Sequence, residues 1–177
     1  MKTAARKRLA RVQALIFDVD GVLTDGGLYY GPDGEVMKRF SVRDGHGLVM
    51  CRIVGFKTGI LTARTSTIVE KRGKELGVTY VMQGKRQKGP AFIELAQTLR
   101  VDPSQCLYIG DDVNDLPALL QAGFSACPAD AHPEVMKQVD YVCEAGGGRG
   151  AVREIIDLTL KATGHWDEAM EHARPPA

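Results

Sequence analysis

Two carboxylates, Asp18 and Asp20, follow a short apolar run in the stretch LIFDVDGVLTDGG. Like charges so close repel, and in extended backbone residues i and i+2 face one space. Three more acids, Asp111, Asp112 and Asp115, follow the run Cys106–Ile109 in GDDVND. Thr62 and Arg64 follow Thr58–Leu61, and Lys88 shares the Gly/Pro-bounded segment GKRQKGP with Lys85 and Arg86. Four or five carboxylates converging on one lysine need a further cation. A hard divalent ion with few protein ligands and open water positions suits them, which points to Mg²⁺. Such an ion neutralises an incoming phosphate, whose other oxygens Thr62 and Lys88 can hold. One carboxylate can then attack phosphorus to give an aspartyl-phosphate, and the second can protonate the leaving alcohol and later activate water.

Each piece alone is weak. DxDG also opens an EF-hand loop, but Leu23 stands at its sixth position, where glycine is required. GDDVND also reads as a capped helix start. Four elements in this order on four strand ends are far more specific.

The elements that must position these residues alternate. Apolar β-rich runs at Leu15–Phe17, Thr58–Leu61, Tyr80–Met82, Cys106–Ile109, Phe124–Cys127 and Tyr141–Cys143 predict strands. Helical patterns lie between them at Gly47–Val54, Thr67–Leu76, Ala91–Leu99, Leu116–Gln121, Pro133–Gln138 and Ala151–Ala162. Thr67 and Glu70 stand at capping-box spacing, and Gly77 stops that helix. The expectation is an α/β fold: a doubly wound, mostly parallel, Rossmann-like sheet with ligands at the strands' carboxyl ends. The segment LYYGPDGEVMKRFSV interrupts it as a hairpin over 27–43, with Gly-Pro-Asp-Gly at the turn and Val36, Phe40 and Val42 on one apolar face. That face has no evident core to cover it, which favours a partner subunit.

The 177 residues fit one domain over 14–163, with a frayed basic leader over 1–13 and a tail over 164–177 that frays at Pro-Pro-Ala. A net charge of +1 supplies no field to draw nucleic acid or membrane. No window reaches the apolar length of a membrane span. Cys51, Cys106, Cys127 and Cys143 form no CxxC pair and read as reduced thiols, which fits a cytoplasmic address.

DVDGVLTDG, the LTAR segment, Lys88 and GDDVND resemble the four motifs of the haloacid dehalogenase-like phosphohydrolases, and the likeness spans roughly residues 15 to 162. The resemblance implies Asp18 as nucleophile, Asp20 as general acid and base, and Thr62 and Lys88 on the phosphoryl group. It implies Mg²⁺ on the Asp18 carboxylate, the Asp20 backbone carbonyl and Asp111, with Asp112 and Asp115 in support. Too little chain separates the motifs for a cap domain, so a capless member is expected, its open site closed by a neighbouring subunit.

The hairpin followed by FSVRDGHGL, ADAHPEV and GGGRGAVREIIDL is similar to the 3-deoxy-D-manno-octulosonate 8-phosphate phosphatases, which supply lipopolysaccharide synthesis. That likeness implies a tetramer joined through its hairpins. It implies sugar-acid contacts from Ser41, Val42, Arg43, Asp44, Gly45, Val49, Arg64 and Arg72, beside Asp20 and Lys88, with Arg149 reaching a neighbour's site. Arg64 and Arg72 suit a bidentate hold on the substrate carboxylate. The family often has Asn at Ser41 and an aromatic at His46, and Val113-Asn114 also occurs in relatives acting on nine-carbon sugar acids. A sialic-acid-like 9-phosphate is therefore the alternative substrate. From other classes, a phosphorylatable receiver also uses Asp, Mg²⁺, Thr and Lys, but its acid pair comes first and it needs no second carboxylate near the nucleophile. A non-catalytic binding module would have no use for intact motifs.

Overall fold

The computed structural model describes residues 3–172. Six parallel strands form the main sheet: β1 (Ala14–Phe17), β4 (Lys57–Leu61), β5 (Tyr80–Met82), β6 (Cys106–Ile109), β7 (Phe124–Cys127) and β8 (Tyr141–Val142). Their order is β5-β4-β1-β6-β7-β8, so the chain reverses direction across the sheet at β1. β1 registers Phe17 against Ile60 of β4 and Ile109 of β6, which ends all three strands at one edge.

β1 shows why its sequence is apolar throughout. Leu15 and Phe17 enter the core on one face, and Ala14 and Ile16 enter the core on the other. A strand covered on both sides has no polar alternation to show. The first face is covered by α1 (Thr3–Leu9), α2 (Val42–Ile53), α3 (Thr67–Leu76), α7 (Ala151–Thr163) and α8 (Trp166–Glu171). The second is covered by α4 (Lys88–Leu99), α5 (Leu116–Leu119) and α6 (Pro133–Met136). α7 follows the expected stripe: Val152, Ile155, Ile156 and Leu160 are fully buried, each contributing roughly 1.5–3 kcal/mol of transfer free energy.

The remaining strands, β2 (Tyr29–Gly31) and β3 (Gly34–Met37), form the expected antiparallel hairpin, turning at Pro32-Asp33. The proposed shared face of Val36, Phe40 and Val42 does not form. Val36 points to solvent, Phe40 packs on the core beyond the strand, and Val42 already begins α2.

Three further expectations need correction. Within the basic leader Thr3–Leu9 form a helix, because Ala5 and Leu9 lie on one stripe and bury against the core while the arginines face out. α2 starts at Val42, not Gly47, with the Ser41 hydroxyl capping the Asp44 amide at 3.3 Å. α3 does start at Thr67, but its N-cap is Ser66, whose hydroxyl donates to Glu35 instead of closing a capping box. In the tail, α8 covers 166–171, and the Pro-Pro-Ala end lies outside the described residues.

Candidate active site

The chain leaves β1 with Asp18 still extended, then enters an irregular turn over 19–23. Gly21 breaks the turn at φ +84°, and a Cβ there would stand 2.1 Å from Asp111 Oδ2. Only glycine lets the two acidic loops approach this closely. The turn, rather than strand alternation, places Asp20 on the same cleft as Asp18.

That cleft holds about 260 Å³ at the carboxyl edge of the sheet, and its lining includes Asp18, Asp20, Thr62, Arg64, Asp111 and Asp112. A larger hollow of about 320 Å³, lined by Val12, Phe56, Lys57, Arg100 and His165, has no acidic cluster. Chemistry, not size, therefore assigns the site.

Lys88 is the first residue of α4 rather than part of a loop, and it is 1% exposed. Its Nζ lies 2.8 Å from Asp18 Oδ1 and 2.9 Å from Asp115 Oδ1. It also donates to the Leu61 carbonyl at 3.1 Å and the Tyr108 hydroxyl at 3.3 Å. Burying an ammonium costs several kcal/mol, which these oxygens offset. Lys85, expected nearby, turns away to pair with Glu94 at 2.7 Å.

Asp115 is fully buried and fully engaged. Oδ1 accepts from Tyr108 Oη at 2.6 Å and from Lys88, while Oδ2 accepts from the Asp111 and Asp112 amides at 3.2 and 3.3 Å. One carboxylate oxygen from each of Asp18, Asp111 and Asp115 lies within 4.8 Å of the others, close enough to share a cation. Because Asp115 has no lone pair to spare, Asp18 and Asp111 are the free donors and Asp115 is their support. Asp112 caps the short turn that follows, accepting from the Val113 amide at 2.7 Å.

The electrostatics favour a metal. Burial and then the Asp115 charge push the Asp18 carboxyl up to about 8, with Lys88 pulling it down. Burial, then Asp115 and Asp112, push Asp111 up to about 7. Three clustered carboxylates face a single lysine, so a hard cation relieves the repulsion and the donor set fits one. In the metal-free protein Asp18 and Asp111 hold protons that the unfolded chain releases near 3.8. Stability should therefore fall as pH rises from about 4 to about 8. Mg²⁺ should raise Tm more at pH 8 than at pH 6; equal gains at both would mean the ion binds elsewhere.

Thr62 is buried, and its hydroxyl accepts from the Arg64 amide at 3.3 Å. Arg64 itself spans the cleft mouth, its guanidinium 5.9 Å over the Tyr30 ring and its Nε 3.8 Å from Asp20 Oδ2. The other predicted substrate contacts do not line the cleft of a single chain. Ser41, Val42 and Arg43 form the amino end of α2, with Val42 82% exposed. Arg72 stacks over Phe40 and abuts Gly45. Its Nε has no hydrogen-bond partner among the described residues. Arg149 stands exposed on its turn. Asp44 is buried with its oxygens committed to the Gly150 and Arg153 amides at 3.2 and 2.8 Å, and the partly buried Val49 packs on the core. The glycine run before Arg149 packs against the turn that carries Asp20. A Cβ on Gly147 would stand 1.9 Å from the Gly21 carbonyl oxygen, and the Gly148 amide donates to the Val22 carbonyl at 2.8 Å.

Sequence reasoning missed Tyr108, Lys38, Glu35 and Ser66. Lys38 donates to Asp20 Oδ1 and lies 2.9 Å from Glu35 Oε1. Burial opposes its charge, but the bond to Asp20 and the Glu35 pairing outweigh it and hold its pKa above the ordinary lysine value.

The doubly wound sheet carries an aspartate nest and the buried Lys88 at its carboxyl edge, and residues 41–123 match the model of the haloacid dehalogenase-like hydrolases. A 3-deoxy-D-manno-octulosonate 8-phosphate phosphatase of Escherichia coli K12 is 44% identical over 158 residues, covering 89% of this chain and 84% of its own. The structure of the Yersinia pestis phosphatase of the same name superposes with a TM-score of 0.90 at 41% identity, over 94% of this chain and 90% of that one. The Moraxella catarrhalis phosphatase, solved with magnesium, phosphate and KDO, gives 0.93 at 34% identity over 98% and 100%. The chain belongs to this family of sugar-acid phosphatases within the haloacid dehalogenase-like hydrolases.

Proposed function

We propose that the protein is a Mg²⁺-dependent phosphatase that converts 3-deoxy-D-manno-octulosonate 8-phosphate to the free sugar acid and phosphate, feeding lipopolysaccharide synthesis. The observation that carries this reading is the buried Asp18–Lys88 pair at the floor of the cleft, in a chain so similar to phosphatases of that name.

An Asp18 oxygen attacks phosphorus, and the bond from phosphorus to the sugar oxygen breaks, its electron pair leaving with that oxygen. Asp20 gives it a proton. Asp20 then takes a proton from water, whose oxygen attacks the aspartyl-phosphate, releasing phosphate and restoring Asp18. Lys88 holds Asp18 in line and faces the phosphoryl oxygens, with the Thr62 hydroxyl beside them. Asp18, Asp111 and the Asp20 carbonyl would hold Mg²⁺, and Asp112 and Asp115 orient them. When bound, the ion neutralises phosphate charge.

For the sugar acid, the substrate's carboxylate needs a second cationic place. Arg64 at the cleft mouth and the amino end of α2, whose first amides face no helical carbonyl, suit it. Arg72 flanks that helix end at Gly45. Leu28, Tyr30, Val36, Met37 and Val42 stand exposed around the hairpin. We therefore read the enzyme as a homo-oligomer joined there, a tetramer, in which a neighbour's Arg149 completes the open cleft. No described helix is long and apolar enough to cross a membrane, and four buried free thiols suit the reducing cytoplasm.

The test is phosphate release from the eight-carbon 8-phosphate and a sialic-acid 9-phosphate, run side by side with Mg²⁺ and with EDTA. We expect preference for the eight-carbon substrate, lost in EDTA. Preference for the nine-carbon substrate would keep the chemistry and replace the substrate. Light scattering on the same preparation should give an oligomer; a monomer at micromolar concentration would remove the neighbour's part.

A further inference from the structure

Lys38 follows β3 and is 7% exposed, although nothing in the hairpin's apolar pattern asks for its burial. Its ammonium sits between Asp20 Oδ1 and Glu35 Oε1. Glu35 Oε2 accepts from the Ser66 hydroxyl, and the Ser66 amide donates to Gln83 Oε1 at 2.9 Å. A continuous polar chain thus runs Gln83–Ser66–Glu35–Lys38–Asp20, from the loops after β4 and β5 through the hairpin to the cleft.

The chemistry assigned to Asp18, Lys88 and Asp115 leaves this chain unused. As a stabilising device it is a poor choice, since a buried ion pair seldom outperforms apolar residues of the same volume. Its gain is orientation. Asp20 sits half-buried in an irregular turn, and Lys38 is the one group that donates a hydrogen bond to its carboxylate among the described residues. Arg64 Nε, at 3.8 Å, is too distant for one.

We infer that Lys38 is a positioning residue that aims the Asp20 carboxyl at the leaving oxygen, with Glu35 and Ser66 holding Lys38 in place. The inference rests on the reading of Asp20 as general acid. In the first transfer the sugar oxygen departs with the electron pair of its bond to phosphorus and takes the Asp20 proton. A sugar alkoxide needs that proton, whereas p-nitrophenolate leaves without it. Misdirecting Asp20 should therefore penalise the sugar phosphate selectively, and misplacement of about 1 Å can cost on the order of 10²-fold.

The experiment compares kcat/KM for the sugar phosphate and for p-nitrophenyl phosphate in Lys38→Met, Lys38→Arg, Glu35→Gln and Asp20→Asn, with a thermal melt of each. This constant reports transfer to Asp18 alone, before water attacks. For Lys38→Met we expect a loss of roughly 30- to 100-fold on the sugar phosphate and only a few-fold on the aryl phosphate. Lys38→Arg should recover most of it, and Glu35→Gln should shift the ratio the same way by less. Equal losses on both substrates would overturn the inference, making Lys38 a phosphate-binding or structural residue. If Asp20→Asn is selective and Lys38→Met is not, the positioning role alone falls. If Asp20→Asn is not selective, the acid assignment falls and takes this one with it. Should Lys38→Met fail to fold, Lys38→Arg and Glu35→Gln still report the ratio, and no selectivity in either would overturn the role.

Discussion

Asp18→Asn is expected to lower turnover by on the order of 10⁴-fold or more, the scale of losing a nucleophile that works as part of a unit. No neighbour can replace it. Asp115 has its oxygens bound by Tyr108, Lys88 and two amides. Asp111 is assigned to the metal beside Asp18. Asp20 is held by Lys38. An amide at position 18 also keeps the side chain's shape and still accepts from Lys88, so the fold should survive. The check is steady-state phosphate release together with trapping of acid-stable phosphoenzyme by brief reaction and quench. Wild type should trap label and Asp18→Asn should not. Activity within tenfold of wild type would mean that another group takes the phosphoryl.

Lys88→Met should act on stability and rate together. Its ammonium is the one cation bonded to both Asp18 and Asp115 in the described structure, and both carboxylates are nearly or fully buried. Breaking a buried pair on one side typically costs about 3–5 kcal/mol, so Tm of the metal-free protein should drop by many degrees. Mg²⁺ should restore part of it by taking over the Asp18 charge. The rate should stay low, by about 10²- to 10³-fold at saturating Mg²⁺, because a preorganised cation at the phosphoryl oxygens has gone. Calorimetry with and without Mg²⁺ separates the effects. Normal turnover would mean that the start of α4 plays no part in the reaction.

Much of the candidate site was legible because several of its residues follow strand ends, which are visible as breaks in apolar runs. Asp18, Thr62 and Asp111 inherit their places from β1, β4 and β6, which end in register. The fold followed from the same alternation, and what escaped depends on distant partners. Asp44 lies beside Arg43 in sequence, yet its oxygens accept from amides 106 and 109 residues further on. Lys38 hid because its value lies in Asp20, 18 residues earlier, while the hairpin invited a reading by apolar faces. Ser41 to Gly47 carries two glycines in the first turns of α2, a composition that mimics a loop. The leader's Ala5 and Leu9 were masked by the arginines between and beside them.

Gly147 and Gly148 press on the backbone of Gly21, Val22 and Thr24, and the start of α7 is tied to α2 through Asp44. The turn that carries Asp20 is therefore braced by chain synthesised more than a hundred residues after it. On the ribosome, every catalytic motif will have been made while that turn still lacks its brace. A chain cut short after GDDVND would carry the four motifs without the segment that packs against the Asp20 turn.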